Sequence, residues 1–136
     1  MILGIIDYGL GNIASLKGAI KKKFNGKIIT SGNVNDLNKC SKLILPGVGE
    51  FSRGMQNLKD KELDIFLKEK SNSTPILGIC LGMQLMFTSS EEGGNSDGLN
   101  LISGNVKRFK KPKKIPHIGF NQVEFHNTGS LFSGVD

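Results

Sequence analysis

Gly78-Ile79-Cys80-Leu81-Gly82 is the stretch of this 136-residue sequence best suited to covalent chemistry. An apolar run, "ILGI" (76–79), leads into a cysteine held between two glycines, and "LGMQLMF" (81–87) continues with helical spacing. A residue at a sharp strand-to-helix turn is pushed out of the sheet while its neighbours crowd together, so the flanking residues must be small. That is the logic of the G-x-S-x-G nucleophile elbow, here with sulfur in place of oxygen. A cysteine near a helix N-terminus is favoured as the attacking thiolate. The N–H of Leu81 is expected to face the same space as a donor to a developing oxyanion. The competing reading of Cys80 is a buried structural cysteine, the commonest fate of an unpaired thiol.

A second donor is available in "PGVG" (46–49), where the backbone N–H of Val48 or Gly49 can serve as a neighbouring loop does in elbow hydrolases. An acyl-transfer cysteine also needs a histidine held by a third group. The sequence has two, His117 in "IPHIGFN" and His126 in "EFHNTG", and each reads more naturally as a strand-start or turn residue than as a base. The residues alone therefore outline half of a catalytic centre.

These groups are carried by a regular alternation. "ILGII" (2–6) reads as a buried parallel strand ending in the glycine turn "DYGLGN". Ile13, Leu16, Ile20 and Phe24 then mark one face of a helix, with Asn12 as N-cap and lysines 21–23 in its last turn. "KIIT" (27–30) is a second strand, "VNDLNKC" a short helix, and "KLIL" (42–45) a third strand stopped by Pro46. Phe51, Met55 and Leu58 begin a helical segment that Leu63, Phe66 and Leu67 continue to about Lys70. Beyond the elbow, "SSEEGGNSDG" reads as a polar loop, and "LNLISGNVKRF" and "HIGFNQVEF" as hairpin strands. Alternating strands and helices imply an α/β fold with a mostly parallel sheet and helices on both faces. Ligands bind such sheets at the carboxyl ends of the strands. Three glycine-rich segments fall there: "DYGLGN", "PGVGEF" and "GICLG".

Length and composition predict one domain spanning 1–136. The two cysteines form no disulfide framework, and cysteines and histidines lack zinc-site spacing, so neither metal nor cofactor is expected. The absence of a basic n-region and of a long apolar run predicts a cytoplasmic protein without membrane contact. The net charge of +6 comes from "KRFKKPKK" (107–114), which holds six of the 18 basic residues and leaves the remainder balanced against 12 acidic ones. It reads as a solvated loop or hairpin, or as a surface for an acidic partner protein or a phosphorylated substrate. No aromatic platform accompanies it, so nucleic acid is not expected.

Taken together, "DYGLGN", "LILPGVGEF", "ILGICLGMQLMF", "SSEEGG", "GLNLISGNVKRF" and "PHIGFNQV" resemble the glutaminase subunits of imidazole glycerol phosphate synthase, within the triad (class I) glutamine amidotransferases. The resemblance runs from Met1 nearly to Asp136 and implies a flavodoxin-like αβα sandwich. It implies that Cys80 attacks the side-chain amide of glutamine, with Leu81, Val48 and Gly49 as oxyanion residues and Gln84 and Glu92 holding the substrate. The ammonia released would pass to a (β/α)8 cyclase, with Asn12, Phe120 and Asn121 near the docking face. Phe120 stands where this family usually has tryptophan, a departure compatible with a paralogue feeding a sugar-amidinating synthase. Members of the family are longer and carry a catalytic histidine and glutamate in their last third. This chain ends at "LFSGVD", before either, so the 136-residue chain is expected to turn over glutamine poorly and to self-associate. The rival readings are another cysteine enzyme on the same elbow, hydrolytic or redox-responsive, and a docking module without chemistry.

Overall fold

β1 (Ile2–Ile6) lies inside a four-stranded sheet of order β2-β1-β3-β4, in which β2 is Lys27–Ser31, β3 Lys42–Leu45 and β4 Ile76–Gly78. The structure, a computed structural model, describes residues 1–110, 116, 118–122, 124 and 130–132. Every neighbouring pair is parallel, with Ile5 opposite Thr30 on one side and Ile44 on the other, and Leu45 opposite Gly78. This is the strand order of the first four strands of a flavodoxin-like sheet, and its direction reverses between β1 and β3.

The helices follow from the apolar spacing. α1 (Ile13–Lys21) begins at Asn12, whose side chain accepts the N–H of Ser15. α2 (Val34–Leu37) is capped likewise by Asn33, and Asp36 ties it to β2 through the Ser31 hydroxyl at 3.0 Å. α3 (Phe51–Asp60) and α4 (Leu63–Lys70) are separate helices, because the apolar set slips by one residue after Leu58 and Glu62 turns the chain at φ 58°. α5 is Leu81–Leu85. The right-handed crossover rule places α1 on the face of the sheet opposite the other helices. Accordingly the core joins Ile6, Leu43 and Leu45 of the sheet to Leu37, Phe51, Met55, Leu58, Leu63, Leu67, Leu81 and Leu85, while α1 buries no residue fully. Burying each such side chain stabilises the fold by about 1.5–3 kcal/mol.

The segment after the elbow departs from expectation. "SSEEGGNSDG" is largely a β-hairpin: β5 (Phe87–Ser90) pairs antiparallel with β6 (Ser96–Asp97), and Gly93 and Gly94 turn the chain at φ 72° and 106°. β7 (Ile102–Val106) pairs with β5 in parallel, not with the "HIGFNQVEF" segment, whose described residues form no strand. This small sheet is fastened by polar pairs, Thr88 Oγ1 to Asn100 at 2.8 Å and Ser89 Oγ to Asn105 at 2.7 Å. Hydropathy cannot register such pairing. α5 is also shorter than its apolar run, because Met86 caps it and Phe87 already belongs to β5.

Candidate active site

The N–H of Ile79 donates to the Leu45 carbonyl at 3.0 Å, extending the ladder one step past β4 before the chain turns. At Cys80 the backbone adopts φ 54° and ψ −118°, a conformation that ordinary L-residues avoid and that elbows impose on their nucleophile. Both glycines are sterically required. A Cβ on Gly82 would overlap the Leu45 carbonyl, and one on Gly78 would lie 2.5 Å from the Cα of Met83. Leu81 and Leu85 anchor α5 in the core, which fixes the turn. Cys80 itself is exposed, so the buried structural reading does not hold; that description fits Cys40, packed beneath Gly4 at 4% exposure.

The Pro46–Gly49 segment leaves β3 and runs against the first turn of α5. A Cβ on Gly47 would lie 2.9 Å from the Cβ of Leu81 and 3.0 Å from the N of Gly82. Val48 is exposed and Gly49 turns at φ 115°. Leu81 opens α5, and first-turn N–H groups have no partner inside their own helix. The structure thus brings the elbow and Leu81 against Gly47, and the Val48–Gly49 backbone follows directly in the chain.

Gln84 lies one turn after Cys80, its N–H donating to the Cys80 carbonyl at 3.1 Å. With Ser90, Glu91, Glu92 and Arg108 it lines a cavity of about 170 Å³, so the two expected substrate contacts share one small recess. Glu92 has a further partner: its carboxylate accepts the N–H of Phe51 at 3.2 Å and so caps α3. Asn12, Phe120 and Asn121 are exposed. His117 and His126 lie outside the described residues, as do Lys111, Lys113 and Lys114 of the basic run. Among the described residues no group of three or more His, Cys, Asp or Glu could hold a metal, and no helix is long and apolar enough to cross a membrane.

Sequence reasoning missed Tyr8. Its ring is 1% exposed, and its hydroxyl donates to the Pro46 carbonyl at 2.8 Å. Burial pushes its ionisation well above the ordinary phenol range, and the negative charge of a nearby Cys80 thiolate adds to the same shift. The available signal was the chain's one tyrosine placed inside a glycine-rich strand end.

Comparison with known proteins agrees with this geometry. Residues 6–136 match the profile of the family described as "Glutamine amidotransferase class-I". The chain belongs to that family. Among curated members it is 42% identical, over 99% of its length, to the "Imidazole glycerol phosphate synthase subunit HisH" of Geobacillus kaustophilus, of which it covers 67%. The identically named proteins of Moorella thermoacetica and Methanocaldococcus jannaschii are each 42% identical over 98% of the chain, which covers 63% and 67% of them. The chain thus spans about two thirds of the length of these class-I relatives.

Proposed function

We propose that the chain is the glutamine-hydrolysing subunit of a two-part synthase. The Cys80 thiolate adds to the side-chain carboxamide carbon of L-glutamine, and the carbonyl oxygen takes the negative charge toward the N–H groups of Leu81 and of Val48 or Gly49. Collapse of this intermediate breaks the C–N bond and expels ammonia, which takes up a proton as it leaves. Water then cleaves the thioester, giving glutamate and the free thiol. Gln84 and Glu92 hold the substrate. An amide side chain offers donors and acceptors together, so one neutral and one anionic partner can read it.

Because the relatives are named as subunits of imidazole glycerol phosphate synthase, the proposed consumer of the ammonia is the (β/α)8 cyclase that makes imidazole glycerol phosphate in histidine biosynthesis. Asn12, Phe120 and Asn121 form its proposed docking face. Neither histidine is among the described residues, so the base is not assigned there. Removing the base from a nucleophile typically lowers turnover by several orders of magnitude. The reaction is therefore best tested by capture of the thiol.

The observation that carries the proposal is the backbone of Cys80, at φ 54° and exposed, with the Gly47 segment packed on the turn that follows it. The test is labelling by the chloromethyl ketone analogue of glutamine, read by mass spectrometry. Modification at Cys80, slowed by L-glutamine and not by L-glutamate, is expected. Labelling indifferent to glutamine would refute the proposal.

A further inference from the structure

We propose that Tyr8 is a positioning residue for the oxyanion site, a role that rests on the glutaminase reading: its buried hydroxyl fixes the peptide from which the Gly47–Gly49 backbone departs.

The Tyr8 hydroxyl donates to the Pro46 carbonyl at 2.8 Å and lies so close to Gly47 that any Cβ there would overlap it. The Pro46 carbonyl and the Gly47 N–H belong to one planar peptide unit, so holding the first fixes the direction of the second. Gly47 also touches Leu81 and Gly82, so the hydroxyl sits where the outlet of β3 meets the elbow. Beyond Gly47, Gly49 has open space around it and Val48 is exposed, so neither adds much restraint of its own. A single buried hydrogen bond therefore supplies orientation that the local chain does not. Tyr8 is itself anchored at its own carbonyl, which accepts from Asn57 Nδ2 of α3 at 3.0 Å. Its ring is fully buried, so the hydroxyl cannot swing out to solvent.

Two reagents separate positioning from general structure. Iodoacetamide reads only the thiolate and its access. The glutamine chloroketone reads the oxyanion site as well: sulfur adds to the ketone carbon and the oxygen becomes anionic in the hole. Sulfur then bonds to the methylene carbon as chloride leaves, the bond from sulfur to the ketone carbon breaks, and the carbonyl re-forms. Tyr8→Phe should lower the maximal rate of ketone inactivation about tenfold, the equivalent of one net hydrogen bond, with the half-saturating concentration unchanged. Its iodoacetamide rate should stay within about twofold of the parent. Because Tyr8 is the single tyrosine, 3-fluorotyrosine can be placed there alone, and it keeps both ring and donor. That protein should react with the ketone as the parent does, which ties the slowing in Tyr8→Phe to the lost donor and not to a disturbed ring. If Tyr8→Phe folds poorly, Asn57→Ala, which releases the Tyr8 carbonyl, should slow the ketone and not iodoacetamide, and equal effects on both would overturn the role. Equal ketone rates in the parent and Tyr8→Phe, equal slowing of both reagents, or slowing by fluorotyrosine as large as that by phenylalanine would each overturn the proposal. If the parent takes iodoacetamide but not the ketone, the glutaminase reading itself fails, and this role with it.

Discussion

The carboxylate of Glu92 caps the helix that starts at Phe51, across 41 positions of sequence. α3 has no cap of its own, because the carboxylate of Glu50 accepts the Ser52 hydroxyl at 2.6 Å instead. Glu92 therefore joins the hairpin of the small sheet to the main core while lining the recess beside Gln84. Glu92→Ala should lower stability by about 0.5–1 kcal/mol, the lower part of the capping range because the group is largely solvated. Glu92→Gln keeps an accepting oxygen and should melt near the parent, yet need more chloroketone for half-maximal labelling. Denaturation midpoints and labelling kinetics on the two variants check this. A parent-like labelling curve for Glu92→Gln would restrict Glu92 to the cap.

The elbow stores backbone strain at Cys80, and relieving it should stabilise the fold. Cys80→Gly removes a side chain from φ 54° and should raise stability by about 1 kcal/mol net of the added chain entropy, while abolishing labelling. Cys80→Ala keeps the strained backbone and should melt close to the parent. Gly82→Ala, whose methyl would strike the Leu45 carbonyl, should cost more than about 3 kcal/mol and yield little folded protein. Thermal melts should rank Cys80→Gly highest, Cys80→Ala next and Gly82→Ala lowest, and any other ranking refutes the assignment of strain to this turn.

Cys40 and Tyr8 set an alkaline limit. Burial raises the ionisation of both, from ordinary values of 9.0 and 10.0. The unfolded chain releases these protons first, so it binds fewer protons than the native state once the pH passes 9.0. Their stabilising effect is complete below that pH and is lost as the pH rises. Urea midpoints measured from about pH 7.5 to about pH 10.5 should fall, and Cys40→Ala should remove the earlier part of the fall and leave the later. Native alkylation should meanwhile modify one thiol, Cys80, and denaturant should release the second.

Several large apolar side chains after β7 face solvent. Phe109 is 74% exposed, Ile118 86%, and Phe120 is fully exposed. Leu77 of β4 is also exposed, beside the buried Ile44 that it pairs with. Apolar surface of this kind drives association. The isolated 136-residue chain should sediment as a concentration-dependent mixture, and Phe109→Ser with Phe120→Ser should shift it toward monomer. A single ideal species across the concentration range would count against this.

The parallel sheet was legible in the sequence because its strands are short isoleucine- and leucine-rich runs separated by amphipathic helices, the case in which hydropathy and geometry coincide. The elbow was legible for a different reason: the sterics of a sharp turn leave only glycine at positions 78 and 82. What stayed hidden depends on polar pairing at long range. β5 is held to β7 and to the segment just before it by serine, threonine and asparagine contacts that resemble a loop in any hydropathy pattern. The Glu92 cap and the Tyr8–Pro46 bond join residues 41 and 38 positions apart, and nothing local to either pair announces the other. The parallel partnership of β7 with β5 was hidden likewise, since the nearer expectation for two adjacent strands is a hairpin.

The central place of β1 between β2 and β3 bears on how the molecule comes into being. β1 leaves the ribosome before either neighbour, so both of its hydrogen-bonding edges are claimed by segments synthesised later. No tight turn can zip either pair, because parallel neighbours need long crossovers. The nascent strand must therefore wait for β2 to claim one edge and keep the other open, apolar and unpaired, until β3 has emerged. Anything that delays it or occupies it in that interval, such as a bulky fusion placed ahead of it, acts on the yield of folded protein without touching a single contact of the finished site.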